Sequence, residues 1–134
     1  MEFKQRTIME IADMICGNFK AEESFFGYRS SRYLTEFFRD CGTNYAHDGS
    51  TRNHWVAETF LQILAEPQPN PHTPPETFTR VIRALMDQGD ARNEGEERAG
   101  ALAFLNTTLA REGFAAFYAP DKQCYLRHIG PAPS

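Results

Sequence analysis

No stretch of this sequence approaches the ~20 apolar residues that a membrane-spanning helix requires, so a membrane-embedded chain is not expected. The first residues carry charge at Glu2, Lys4 and Arg6 with no apolar h-region behind them, so no signal peptide is expected. Cysteine is scarce. Three residues, an odd number, fit free thiols in a reducing cytoplasm and not a disulfide scaffold. A basic excess is missing too: 14 Lys and Arg against 18 Asp and Glu give a net charge of −4. That sets aside a protein that wraps nucleic acid broadly, though not a small local patch. The 9 glycines stand apart and form neither a Walker nor a Rossmann phosphate loop. There is no internal repeat and no low-complexity tract.

What is present is 134 residues with 41% hydrophobic side chains, enough for one core. Five of the 8 prolines fall between Pro67 and Pro75, where no helix can continue. The chain on either side is too short for a comfortable core of its own, so both parts are expected to pack as one domain, residues 1–130. Residues 131–134 read as a disordered tail.

Apolar spacing predicts five helices. The first covers about residues 4–17 and carries Ile8, Ile11, Ala12, Ile15 and Phe19 on one face, with Gly17-Asn18 as the stop. Phe25, Phe26 and Tyr28 around Gly27 suggest a buried loop or a short extended piece. The second helix starts at Ser30 or Ser31 with a hydroxyl cap, buries Leu34, Phe37, Phe38 and Cys41, and ends at Gly42. The third starts at Ser50 or Thr51 and carries Trp55, Val56, Phe60, Ile63 and Leu64. For the fourth, Thr73 reads as the cap, Pro74 as the first helical residue and Glu76 as the far side of a capping box, with Gly89 as the stop. A charged loop over 90–95 leads to the fifth, about residues 96–111, stopped by Gly113. Aromatic and branched residues over 114–118 and 123–129 flank Ala119-Pro120-Asp121-Lys122, which reads as the turn of a β-hairpin. The fold class is therefore mainly α (α+β): a compact five-helix domain closed by a C-terminal two-stranded β-hairpin. A lone hairpin is barely stable, so this one must lie against the helices.

The polar segment from Arg39 to Trp55 holds the densest set of functional groups. Cys41, His47, Asp48 and His54 match no standard zinc spacing, so neither a metal nor a cofactor is expected. Seven residues separate Arg39 from His47 and one separates Arg52 from His54, which is not the arginine–histidine spacing of HEPN-type ribonucleases. A histidine can shuttle protons near neutral pH, so a nuclease centred on His47 and His54 is a third reading. No local feature marks Cys16, Cys41 or Cys124 as an activated thiolate.

Arg29, Arg32, Arg39 and Arg52 open two functions. Each can pair with a neighbouring carboxylate or carbonyl, or the rigid guanidinium fork can read an acidic partner or a phosphate. If the second and third helices are antiparallel neighbours, their starts lie ~15 Å apart and two separate arginine roles are expected. The ending, a helix and then a hairpin, is winged-helix-like. In such a fold the fifth helix would present Arg98, Asn106, Thr107, Thr108 and Arg111, with Lys122 at the wing tip and Arg127 on the second strand, to a nucleic acid. Glu94, Glu96, Glu97 and Glu112 flank that helix and would repel phosphate.

Tyr28-Arg29-Ser30-Ser31-Arg32-Tyr33-Leu34 with Phe37-Phe38, then Ser50-Thr51-Arg52 with Trp55-Val56, then Leu105-Asn106 and Leu109-Ala110-Arg111-Glu112-Gly113-Phe114 carry a resemblance. Over about residues 5–129 the chain resembles the small N-terminal helical modules of bacterial antiphage proteins of the AbiJ abortive-infection type, which precede a TIR-like or NTPase effector. The resemblance implies a recognition or assembly part, with the toxic activity elsewhere. The reading that follows is a non-enzymatic cytoplasmic module that docks a protein partner or effector domain, or associates with itself. Its expected contact residues are Arg29, Arg32, Tyr45, His47, Asp48, Arg52, His54 and Trp55. A nucleic-acid-binding domain using Arg98, Asn106, Arg111, Lys122 and Arg127 is the alternative.

Overall fold

The computed structural model describes residues 1–17, 26, 28–87 and 95–130. Among them, helices α1 (Gln5–Cys16), α2 (Ser31–Asp40), α3 (Arg52–Leu64), α4 (Glu76–Leu85) and α5 (Gly95–Leu109) precede strands β1 (Phe114–Tyr118) and β2 (Cys124–His128). The mainly α domain with a closing hairpin is what the apolar spacing predicts. The expectations for Asn18, Phe19, residues 20–25, Gly27, residues 90–94 and the tail 131–134 lie outside the described residues. Helix α4 ends at Leu85 with Met86 in the C-cap position, before the expected stop at Gly89. No described helix is long and apolar enough to cross a membrane.

The core forms because each helix offers one apolar stripe. Ile8, Ile11, Ala12 and Ile15 of α1 pack against α3, its most extensive helical neighbour, which supplies Val56, Phe60, Ile63 and Leu64. A file of edge-to-face rings runs through the interior: Phe3 on Phe78 (5.3 Å between centroids), Phe78 on Phe60 (5.7 Å), Phe60 on Phe38 (6.5 Å) and Phe38 on Trp55 (5.5 Å). Such pairs add to the transfer energy of the rings themselves, about 1.5–3 kcal/mol for each fully buried side chain. The file links the start of the chain to the loop after α2.

The hairpin is antiparallel and in register from Phe114 opposite His128 to Tyr118 opposite Cys124. Its turn is the Ala119–Lys122 turn expected from Pro120, closed by Lys122 N–H donating to the Ala119 carbonyl at 2.8 Å. One device attaches it to α5, and another closes its open end. Asn106 of α5 donates Nδ2–H to the Ala116 carbonyl (3.0 Å) and accepts the Ala116 N–H on Oδ1 (2.6 Å), so one side-chain amide satisfies the outer edge of β1. Gly113 sits at φ +81°, and a Cβ there would collide with the Gly130 carbonyl oxygen.

The start of α4 differs from expectation. Helix α4 begins at Glu76 with Pro75 in the cap position and no side-chain cap, so the Thr73 capping box does not form. The cause is Pro75, which bars Pro74 from helical geometry. The Thr73 hydroxyl instead donates to Asn70 Oδ1 at 3.0 Å, within the preceding turn. At α2, Ser30 holds the cap position but makes no side-chain cap bond, and the Ser31 hydroxyl turns to His47 instead.

Candidate functional site

The loop after α2 does not run away from the helix. It turns back along it. The His47 N–H donates to Thr35 Oγ1 at 2.9 Å, and the His47 ring lies between Ser31 Oγ (2.6 Å from Nδ1) and the Ser50 carbonyl (2.8 Å from Nε2). A carbonyl only accepts, so Nε2 donates to Ser50, and Nδ1 shares the second hydrogen bond with the Ser31 hydroxyl. The ring also stands edge-to-face on Trp55 at 5.2 Å. Asp48 closes the loop by accepting from the Ser50 N–H (2.9 Å) and hydroxyl (2.5 Å). The Ser50 hydroxyl and then its amide hold the Asp48 carboxyl below the usual range.

This path brings the starts of α2 and α3 together, which corrects the expectation of two separate arginine roles. Both arginines converge on the C-terminus of α1. Arg52 Nη1 donates to the carbonyls of Cys16 (3.1 Å) and Arg29 (2.8 Å), and Arg29 Nη1 donates to that of Ile15 (3.0 Å). The last turn of a helix leaves carbonyls without acceptor duties fulfilled and carries partial negative charge, so two guanidiniums there meet both needs. The Arg29 guanidinium lies over the Phe37 ring (4.5 Å) and that of Arg52 over Tyr28 (4.4 Å). Arg29 and Arg52 therefore tie α1 to the starts of α2 and α3.

The other expected contact residues separate. Trp55 is 9% exposed and belongs to the core. Tyr45 packs on Phe38 and faces a cleft beside α4. Arg32 is exposed and, among the described residues, pairs with Glu36 one turn on (3.2 Å), and His54 is exposed in the first turn of α3. The sequence reading missed Tyr28 and Tyr33. Tyr28, expected among buried aromatics, is 65% exposed, and Tyr33 is 56% exposed. Tyr33 could have been found, because it falls outside the Leu34–Phe37–Phe38 stripe of α2.

Several of the residues expected to read nucleic acid are engaged within the fold. Asn106 is spent on β1. Arg111 grips Glu10 and Thr108 is buried, donating to the same carboxylate at 2.8 Å. Arg98 lies over the Tyr118 ring (5.6 Å) and Arg127 over Phe117 (5.9 Å). Lys122 stands exposed in the hairpin turn. An acidic side chain, Glu10 or Glu112, sits where a phosphate would have to approach Arg111.

Among the described residues, no three His, Cys, Asp or Glu side chains are placed to hold a metal ion, so Cys41, His47, Asp48 and His54 do not converge. All three thiols are buried, and burial pushes Cys16, Cys41 and Cys124 up to about 11. They stay protonated near neutral pH and are poor nucleophiles. Compared with protein families, characterised proteins and solved structures, the chain finds no match.

Proposed function

We propose that this chain is a non-catalytic recognition module that docks a protein partner through the end of the molecule where α2 and α3 begin. The observation that carries the reading is the exposure of Tyr28, Tyr33 and Arg32 at the start of α2, on a support fixed by Arg52 and His47. Tyrosine and arginine are the side chains that most often dominate protein interfaces, because they bury much area at low entropic cost and still offer hydrogen bonds. The pinned support adds preorganisation, so little ordering remains to be done on binding. The Arg32–Glu36 pair is exposed, and such pairs exchange partners at little cost. By its resemblance to AbiJ-type modules, the chain serves in a bacterial antiphage defence protein in the cytoplasm, where the partner is an effector domain or a second copy of the module.

A photoreactive phenylalanine analogue placed at position 33 tests this directly. A discrete crosslinked protein that is absent when the analogue replaces Lys122 supports the reading. Equal crosslinking at both positions, or none, removes it.

A further inference from the structure

A cleft of about 450 Å³ lies on another side of the molecule, between the loop after α2, the end of α3 and the first turns of α4. Gly42, Asn44, Tyr45, Glu66, Thr77 and Arg80 line it. Its volume falls in the range of small-molecule sites.

Its charges are held in an uncommon way. Thr77 Oγ1 donates its proton to Glu66 Oε1 at 2.9 Å and accepts from Arg80 Nη2 at 3.2 Å. One hydroxyl thus stands between a carboxylate and a guanidinium that form no direct ion pair. Among the described residues, that hydroxyl is the only acceptor Arg80 meets, although a guanidinium has five N–H groups to place. Arg80 Nε, like that of Arg83, is buried without an acceptor among the described residues and so is not open to the cleft, which leaves the Nη groups as the donors Arg80 can offer there. Gly42 leaves room for the guanidinium: at φ +81° it has a backbone that favours glycine, and a Cβ there would stand 3.1 Å from Arg80 Nη1. The other wall is Tyr45, whose ring packs on Phe38 and whose hydroxyl meets no described partner. Burial and then the Glu66 charge raise the Tyr45 phenol, so it stays a donor.

We propose that this cleft binds a small zwitterion, a free α-amino acid, with its carboxylate on Arg80 and its ammonium on Glu66. A dianion such as phosphate suits the site less well, because Glu66 would repel it and, among the described residues, one guanidinium faces it. A zwitterion satisfies both charges without changing the net charge of the site. Tyr45 and Asn44 supply further hydrogen bonds. This site is separate from the aromatic end of α2 and does not depend on how that end is used.

Amide NMR titrations of the intact chain with each of the common α-amino acids, and with inorganic phosphate, test it. At least one amino acid is expected to shift the amides of Gly42, Asn44, Thr77 and Arg80 saturably. N-acetylation or amidation of that amino acid should abolish the shifts, since each removes one charge. Arg80→Gln and Glu66→Gln should each weaken binding about tenfold or more, as loss of a charge-assisted contact does. Tyr45→Phe keeps the ring packing and should weaken it a few-fold. The derivatives are tested on the unaltered chain, so they decide the matter even if a variant unfolds. No saturable shift with any amino acid overturns the proposal. So does equal binding of the N-acetylated or amidated form, or phosphate binding that Glu66→Gln leaves unchanged.

Discussion

The guanidinium of Arg52 lies 4.4 Å from the centre of the Tyr28 ring while its Nη1 donates to the carbonyls of Cys16 and Arg29. One arginine thus ends α1 and carries an exposed tyrosine. Arg52→Ala removes two charge-assisted hydrogen bonds and should lower stability by roughly 2–3 kcal/mol. Arg32→Ala removes only an exposed pair and should change it by about 0.5 kcal/mol or less. Urea unfolding of both variants checks the contrast, and equal effects would contradict the assignment of Arg52 as structural and Arg32 as free to bind.

Glu10 gives a pH dependence with a definite sign. Partial burial raises its carboxyl, but hydrogen bonds from Arg111 and Thr108 and the charge of Arg111 outweigh it, and the net shift is downward. A carboxyl lowered in the folded state contributes stability above its unfolded value, about 4.5, and loses it as the pH falls through the folded value. Glu10→Gln should therefore destabilise the chain near pH 7, by roughly 1–3 kcal/mol. Its disadvantage should shrink on acidification below about pH 4. Urea midpoints of both chains across that range measure it, and a gap that stays constant with pH contradicts the pairing.

Thiol chemistry tests the reading of the cysteines. With thiols at about 11, only about a thousandth is thiolate at pH 8. A disulfide reagent should modify Cys16, Cys41 and Cys124 only as fast as the chain opens. A thiol that reacts in the folded protein at the rate of free cysteine would contradict it.

The commitment of Asn106 to β1 and of Arg111 to Glu10, with a net charge of −4, predicts no salt-dependent binding to duplex DNA, even at low ionic strength. Fluorescence anisotropy at two salt concentrations measures this. Tight binding that collapses with salt and is weakened by Lys122→Ala or Arg127→Ala would revive the winged-helix-like alternative.

Much of the fold was legible because burial follows period. The stripes Ile8–Ile11–Ile15, Leu34–Phe37–Phe38 and Phe78–Val81–Ile82–Leu85 are all buried, and the change of period after Gly113 marks the hairpin. The α4 start was misread although Pro75 following Pro74 already forbade it. The site was less legible, because it depends on the direction of a loop. Nothing local in residues 43–50 says that His47 returns to Ser31, and that return is what brings Arg29 and Arg52 together and leaves Tyr28 outside. Sequence shows which residues can bond, whereas long-range closure decides whether a bond faces inward or toward a partner.

The most direct test of the docking face is an affinity measurement. The partner captured by crosslinking at position 33 is titrated against the unaltered chain and against the variant carrying Arg32→Glu and Tyr33→Ala. Both changed side chains are exposed, so the melting temperature should hold. Affinity should fall at least about tenfold, as loss of an interface anchor does. Undiminished affinity in a folded variant would contradict the claim that this end of the molecule is the working surface.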